Sequence, residues 1–519
     1  LTVAKVNALD GSNSHVRKGD LRPMNEPGAN DATDAARPHG APEVRALPLI
    51  VDLDGTLART DTAFELIAAN LTRKPLAVLG ALFEGLASRA RMKRRLAAAG
   101  SLDVEALPLR DDLVAYLAEQ RRLGREIHLV SAADQAVVDQ VAARVGLFDS
   151  AVGSRDGVNL KGPRKAAALV ERFPQGFVYA GDSPADAPVW RVAAGAIVAG
   201  SSKTAARAAQ ASERPVEATF ADPPATFKDW RKALRLHQWA KNILLFVALF
   251  LGQAYHEPAA WIACALGFFI LGAVASGTYV LNDLLDLSND RRHPTKKTRM
   301  LASGRLKIAH ALLLAPVLIL GGLAAGIALD PLFGVGLGAY LVLTLAYSAR
   351  LKRVPFLDTL LLAWLFTLRI LMGGALAGVV VSEWLLVFSM FFFFGLSIAK
   401  RHVEVLKRGR NGGGALPGRG FDAQDEAVTL AFGVASSVAS ILILVMYLME
   451  GAFPSGFYTA PVFLWAMPVV VGGWLTRVWL LAHRGELDDD PVAFAIRDRV
   501  SVGLGLLLGA AFLAASLIG

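Results

Sequence analysis

Short apolar runs alternate with amphipathic stretches through the first part of the chain. "ALPLIVDLDGTL" (46–57), "REIHLVSAAD" and "GFVYAGDSPAD" each read as a buried strand running into polar residues. Helical patterns such as "DDLVAYLAEQRRLG" and "RKAAALVERF" lie between them. Strands alternating with helices predict a Rossmann-like α/β domain, a parallel sheet with its site at the strands' carboxyl ends. A helical insertion over about 60–108 follows the first strand. Its "PLAVLGALFEGLA" is apolar but shorter than the ~20 residues a bilayer requires, so the insertion is predicted to be a cap. From Trp239 on the pattern changes. Nine apolar spans centre near 247, 270, 318, 340, 367, 391, 438, 468 and 508. They predict an all-α membrane bundle of about nine transmembrane helices.

These patterns divide the chain into a disordered leader (1–45), an α/β domain (46–204), a linker (205–227) and a membrane domain (228–519). The leader is rich in Gly, Pro, Asn, Asp and Ala without periodicity, and its start lacks the apolar core of a signal peptide. Mean hydropathy is +0.42 and 54% of residues are apolar, too much for an ordinary soluble enzyme. A single cysteine, Cys264, excludes an intrachain disulfide and a cysteine metal site. The net charge of +9 matters through its placement. Seven Lys/Arg lie in 282–307, and further clusters follow the fourth, sixth and eighth spans. The alternate loops, "AYHEPAA", "LDP", "VVSEW" and "EGAFPSG", have none. By the positive-inside rule the basic loops and the α/β domain face the cytoplasm across the inner membrane, and nine spans put the C-terminal end on the far side. The basic charge is thereby assigned to the membrane, with no nucleic-acid partner.

Asp52 and Asp54 flank one residue at a strand's end, so strand periodicity points them the same way. A carboxylate nucleophile with a neighbouring acid/base suits phosphoryl transfer through an aspartyl-phosphate. Gly55 and Thr56 supply a turn and a hydroxyl, and Ser131 can donate to a phosphoryl oxygen. Asp182 and Asp186, with Asp52, offer the hard oxygen ligands that suit Mg²⁺. A lysine should neutralise the phosphoryl group; Lys165 is the choice and Lys161 the alternative. The order "DLDGT", "S", "K", "GDSPAD" resembles the haloacid dehalogenase superfamily of Mg²⁺-dependent phosphohydrolases over about 46–200.

"LNDLLDLSNDRRHPTKKTRM" (281–300) leaves a membrane-length apolar run and enters acids, then bases. Asp283, Asp286 and Asp290 are spaced three and four apart, one face of a helix, and such a face needs a bridging cation. Acids holding Mg²⁺ and bases holding phosphate together suit a diphosphate leaving group. Tyr347, Lys352 and Asp358 gather at the start of the fifth span, with Arg369 eleven residues further, about 16 Å along a helix. An arginine that deep faces a cavity and a partner. Lys400, Arg401 and Glu404 close the sixth span, and "RLHQWAKN" (235–242) reads as an interfacial helix with Lys241 near phosphate depth.

"NDLLDLSND" followed by "HPTKKTRMLASG" resembles the first motif of the UbiA superfamily of intramembrane prenyltransferases, and "YSARLK" with Asp358 resembles the second. "RLHQWAKNILLF", "LRILMGGALAG", "AKRHVEVL" and "DPVAFAIRDR" are similar to its decaprenyl-phosphate phosphoribosyltransferase branch. That resemblance implies phosphoribosyl pyrophosphate as donor and a polyprenyl phosphate as acceptor. It implies substrate contacts at Lys241, Asn282, Arg299, Tyr347, Lys352, Arg369, Lys400, Arg401 and Glu404, and metal at Asp283, Asp286 and Asp290. The second acidic pair of quinone-pathway prenyltransferases is missing, since "TLLL" follows Asp358. The alternatives are such a quinone-type prenyltransferase beside an unrelated phosphatase, or a lipid-linked-sugar transporter or scaffold. Charges that gather at one face rather than run through several spans speak against transport.

Overall fold

The computed structural model describes residues 47–71, 73–100, 102–155, 159–200, 203–487, 494–495 and 497–517. The expected leader, and much of "DPVAFAIRDR", lie outside these residues. The α/β domain comprises β1 (Leu49–Val51), a cap of α1 (Thr62–Asn70), α2 (Pro75–Ala87) and α3 (Arg89–Ala99), then α4 (Asp111–Arg122), β2 (Ile127–Asp134), α5 (Gln135–Val145), β3 (Ser150–Ser154), α6 (Pro163–Arg172), β4 (Val178–Gly181), α7 (Ala187–Val192), β5 (Gly195–Ala199), α8 (Lys203–Gln210) and β6 (Val216–Phe220). The strands form one parallel sheet in the order β3-β2-β1-β4-β5-β6. Strand alternation splits β1 between two cores. Leu49 and Val51 pack on one face, with α4 and the cap, and Ile50 packs on the other, with Tyr179 and Trp190.

The segment expected to be a linker instead completes this sheet. Residues 203–220 supply α8 and the sixth strand. "VEATF" carries no continuous apolar run because β6 is an edge strand, half-exposed along its length. What holds it is polar. Glu217 accepts from the buried Arg125 at 2.9 Å, and Asp222, just past the strand, pairs with the buried Arg110 at 2.6 Å.

The membrane domain opens with α9 (Phe227–Ala233), a 3₁₀ segment (Leu236–Leu244) and α10 (Leu245–Leu251). The long helices follow: α11 (Pro258–Leu285), the short α12 (Leu287–Arg292), α13 (Ile308–Leu329), α14 (Pro331–Ala349), α15 (Leu357–Ala377), α16 (Glu383–Arg410), α17 (Glu426–Tyr447), α18 (Ala466–Arg484) and a last helix, Arg499–Leu517. Among the described residues eight helices, not nine, are long and apolar enough to cross a membrane. The expected first span is the apolar stretch Leu236–Leu251. Half of it is wound as 3₁₀ helix, whose rise of ~2.0 Å per residue brings the whole to roughly 28 Å.

The two domains are packed together. Phe64, Ala68 and Leu71 of the cap share an apolar cluster with Val280, Leu284, Leu287, Met300, Leu301, Ala302 and Leu306 of the membrane domain. Within it Arg291 donates to both oxygens of Glu65 at 2.9 and 2.5 Å, with both side chains over nine-tenths buried. Arg292 reaches Asp103 at 2.6 Å. A Cβ on Gly304, whose φ is +76°, would meet the Arg59 carbonyl oxygen at 2.5 Å, so only glycine fits this approach.

Candidate active sites

β1 is the sheet's middle strand, with β2 and β4 as its parallel neighbours. Register pairs Val51 with Leu129 and Ala180, so the residues just beyond, Asp52, Ser131 and Asp182, meet at the carboxyl ends. Asp52, Asp182 and Asp186 each present an oxygen within 4.8 Å of the others. Three hard oxygen donors at that spacing fit a divalent cation such as Mg²⁺. Gly55 is required here twice over. Its φ is +81°, and a Cβ would lie 2.2 Å from Asp182 Oδ2.

Lys165 is buried and its Nζ lies 3.0 Å from Asp52 Oδ1. It also donates to the Tyr179 hydroxyl at 2.7 Å, which donates to Asp186 at 2.9 Å. The alternative, Lys161, is exposed, and no ion pair ties it to these acids among the described residues. Ser131 Oγ is buried and accepts from Ala133 N at 3.1 Å. Thr56 Oγ1 is buried without a hydrogen-bond partner, as a group awaiting a ligand oxygen would be.

Asp54 accepts from Thr62 N at 2.8 Å. Burial above all, with Asp61 adding, pushes its carboxyl up to about 7, while the charge of Lys93 on α3 opposes the rise. Asp182 is likewise raised to about 7 by burial, then by Asp52 and Asp186, and Lys307 of the membrane domain opposes it. Sequence reasoning missed two residues. Tyr179 relays between Lys165 and Asp186. Arg110, 1% exposed, donates to the carbonyls of Thr56 and Gly55 at 3.0 and 3.2 Å and so pins the loop that carries Asp54. Neither lies in a motif; Arg110 opens α4, far along the chain.

The membrane site departs from expectation. The helix carrying Asp283 ends at Leu285, and Asp286 is its exposed C-cap, so the three aspartates do not share one continuous helix face. They also do not form a three-acid metal cluster among the described residues. The group is organised by arginine. Asp283 Oδ1 accepts from Arg235 at 2.6 Å and from Arg299 at 2.9 Å, and Arg299 also reaches the buried Asp290 at 2.5 Å. As arranged, these acids do not fit a metal cage, because the Arg299 guanidinium already bridges Asp283 and Asp290. Arg291 and Arg292, expected among the phosphate-binding bases, are spent on docking the cap. Arg235, Asp283 and Arg299 line a cavity of about 270 Å³ with Lys232, His237 and Arg305.

Asn282 donates to Ser348 at 3.1 Å and so joins this cluster to α14, where Tyr347 accepts from Arg419 at 2.6 Å. Arg419 lies 3.9 Å from Asp358, which the buried Arg401 meets at 2.7 Å, and Arg401 also pairs with Glu404. The second oxygen of Asp358 is buried without a partner. Lys400 precedes Arg401 on α16. Lys352 sits half-buried on the Leu351–Arg353 turn, and no ion pair joins it to this cluster among the described residues. Deeper in the bundle, Arg369 meets a partner as expected, but not an acid. Its polar neighbours are Asn242 at 3.4 Å, Tyr340 at 3.5 Å and the Leu365 carbonyl. Lys241, expected near the lipid phosphates, lies over the Phe366 ring at 5.5 Å, and Arg369 lies over the same ring at 5.6 Å. Two cations thus converge on one aromatic inside the bundle.

Comparison with known proteins agrees with both halves. Residues 243–502 match the model of the UbiA prenyltransferase family, and residues 49–191 match that of haloacid dehalogenase-like hydrolases. The chain is 41% identical to the "Uncharacterized protein y4nM" of Sinorhizobium fredii over 91% of each chain. It is 36% identical to the nodulation protein NoeC of Azorhizobium caulinodans over 55% of this chain and 94% of that one. A Corynebacterium glutamicum decaprenyl-phosphate phosphoribosyltransferase is 36% identical over 37% of this chain and 59% of its own. Its long apolar helices make the chain an integral membrane protein, and both of its domains belong to families of enzymes. The chain therefore belongs to the UbiA prenyltransferase family and carries a haloacid dehalogenase-like domain ahead of its membrane domain.

Proposed function

We propose that the membrane domain transfers 5-phosphoribose from phosphoribosyl pyrophosphate to a polyprenyl phosphate, and that the α/β domain then removes the 5-phosphate. The carrying observation is the docking between domains. The phosphatase cap is bolted by Glu65–Arg291 to the segment that bears Asp283, Asp290 and Arg299. The branch named decaprenyl-phosphate phosphoribosyltransferase supplies the substrate class.

In the transfer, an oxygen of the lipid phosphate attacks the anomeric carbon as the bond to pyrophosphate breaks. Arg235, Arg299 and Lys232 can take the departing diphosphate charge, and Lys241 and Arg369 the lipid phosphate. Asn282, Tyr347, Asp358, Arg401 and Glu404 hold the rim of the site in place around them, with Lys352 and Lys400 adding charge at its edge. In the hydrolysis, Asp52 attacks the phosphorus of the 5-phosphate while Asp54 gives its proton to the departing ribose oxygen. Water then cleaves the aspartyl-phosphate, with Asp54 as base. Lys165, Ser131 and Thr56 hold the phosphoryl oxygens. Mg²⁺ held by Asp52, Asp182 and Asp186 would neutralise the phosphoryl charge during this attack. In this reading both sites face the cytoplasm across the inner membrane, an orientation that the positive-inside rule applied to the basic loops supports.

The test supplies purified protein with labelled phosphoribosyl pyrophosphate and polyprenyl phosphate and weighs the lipid product. Intact protein should yield lipid-linked ribose without its 5-phosphate. A prenylated aromatic product from a prenyl diphosphate instead would overturn the reading.

A further inference from the structure

The cap helix α2 presents to its surroundings a face of the wrong chemistry for water. Its sequence, "PLAVLGALFEGLA", is apolar on every side but one acid. Val78 and Ala81 point into the domain core and are buried. On the opposite side Leu76, Leu79, Leu82 and Phe83 are 80, 62, 44 and 77% exposed. At 100° per residue these four fall within about 120°, one continuous stripe of the width that elsewhere faces a core. Val335 and Leu320, on helices long enough to cross the membrane, are 69 and 64% exposed. The stripe on α2 is as open as they are.

Basic residues surround the stripe. Residues 73–95 hold seven Lys/Arg, five of them in "RARMKRR", against the single acid Glu84. Glu84 is itself paired with Arg95 of α3. Arg73 and Arg91 are exposed. The α2–α3 hairpin is tight. A Cβ on Gly80 would lie 2.6 Å from Arg95 Nη2, and one on Gly85 would lie 2.8 Å from Met92 Sδ. Both feet of the hairpin stand on the basic side of the membrane domain. At the entry, Phe64, Ala68 and Leu71 pack on Val280, Leu284 and Leu287 where α11 leaves the membrane. At the exit, Asp103 binds Arg292 and accepts from Ser288 at 2.5 Å. The hairpin is therefore tethered next to the level at which the spans end.

We propose that α2 is an interfacial helix that lies in the leaflet on the Lys/Arg-rich side of the bundle, its Leu76–Leu79–Leu82–Phe83 stripe among acyl chains and the exposed Arg73 and Arg91 beside it against anionic phospholipid headgroups. An apolar stripe beside a polybasic segment is the combination that anchors a peripheral helix, and anionic lipid is the partner whose charge complements it. The consequence reaches the phosphatase site, because α3 supplies Lys93, which donates to the Ala132 carbonyl at 2.7 Å beside Ser131 and whose charge acts on Asp54. The cap thus binds the bilayer on one side and roofs the cleft on the other, holding the cleft at the surface from which a lipid-linked phosphomonoester arrives.

The chain's one cysteine is buried, which makes a direct test practical. In the protein carrying Cys264→Ala, a fluorophore is placed at Leu79→Cys or Phe83→Cys, and at the exposed position Glu171→Cys on α6 as reference. Hydrolysis of a small soluble phosphomonoester verifies that each variant is folded. In nanodiscs containing brominated phosphatidylglycerol, labels at 79 and 83 should be quenched several-fold more than the label at 171. Arg73→Gln with Arg91→Gln, or replacement of the anionic lipid by phosphatidylcholine, should weaken that quenching. Equal quenching at 79, 83 and 171 would overturn the proposal. So would labels at 79 and 83 shielded from both bromolipid and aqueous iodide, with shielding lost on dilution, since the stripe would then be covered by a second copy of the chain.

Discussion

Asp54 carries the sharpest expectation at the scale of a single residue. Its carboxyl is raised to about 7, so near neutrality a substantial fraction is protonated and able to donate to a leaving oxygen. Since the acid form is lost as pH climbs through that value, kcat/KM for a phosphomonoester should fall above pH ~7. Asp54→Asn should lower the rate by about 10²–10⁴ and flatten that limb; a profile unchanged by the substitution would remove Asp54 from the acid role. Asp52→Asn keeps size and most hydrogen bonding, so the fold should survive while hydrolysis stops. That variant should accumulate lipid phosphoribose with its 5-phosphate, as mass analysis of the lipid would show. Gly55→Ala should abolish hydrolysis for a steric reason, because its Cβ would occupy the space of Asp182 Oδ2. Asp283→Ala should behave in reverse, ending transfer while leaving hydrolysis of a soluble ester intact, because its partners Arg235 and Arg299 belong to the membrane site. Loss of both activities in a folded Asp283→Ala protein would mean that the two sites are not separable.

Between elements, the docking of α1 on α12 rests on one ion pair in an apolar cluster. The Glu65 and Arg291 side chains are 5 and 7% exposed, and Thr60 Oγ1 adds a hydrogen bond to Glu65 at 2.6 Å. Removing one partner strands the other's charge, a change that typically costs about 3–5 kcal/mol, whereas replacing both with apolar residues can be nearly neutral. Glu65→Ala should therefore lower thermal stability and expose the cap to proteolysis near 60–108. The double variant Glu65→Leu, Arg291→Met should recover most of the loss. Equal damage in the single and double variants would assign the stabilisation to the surrounding apolar contacts. The same pair explains why the "NDRR" segment was only half legible. Its Lys/Arg excess marks a basic loop, but nothing local tells Arg299, which binds Asp283 and Asp290, from Arg291, which binds a residue over 200 positions away.

Across the whole molecule, the number of crossings turns on the short first span. Leu236–Leu251 and the eight longer helices make nine crossings if the 3₁₀ stretch spans, since roughly 28 Å approaches the ~30 Å of a hydrocarbon core. The loops rich in Lys/Arg then all fall on one side, with the phosphatase domain. A reporter fused after Leu517 should be active only on the opposite side. Activity on the phosphatase side would mean that one of the seven long helices after the docked α11–α12 corner does not cross. Tethering both sites on one face also keeps the transfer product at high effective concentration for the phosphatase.

Much was determined by local pattern alone. Period two and strand-end acids located Asp52, Asp54, Ser131 and Asp182, because a parallel sheet delivers strand ends to one edge whatever the loops do. Apolar length announced the bundle, because backbone groups in lipid must be satisfied within a helix. Other features had no local signature, since their partners are distant in the chain. β6 is an edge strand held by Arg125 and Arg110 rather than by its own apolar run. Lys165 was separated from Lys161 only by burial beside Asp52 and Tyr179. The aspartates of the membrane site read as a helix face, yet the helix stops at Leu285 and arginines from 235 and 299 close around Asp283. Charge pairing across a fold depends on which chain segments meet, and three-dimensional packing alone decides that.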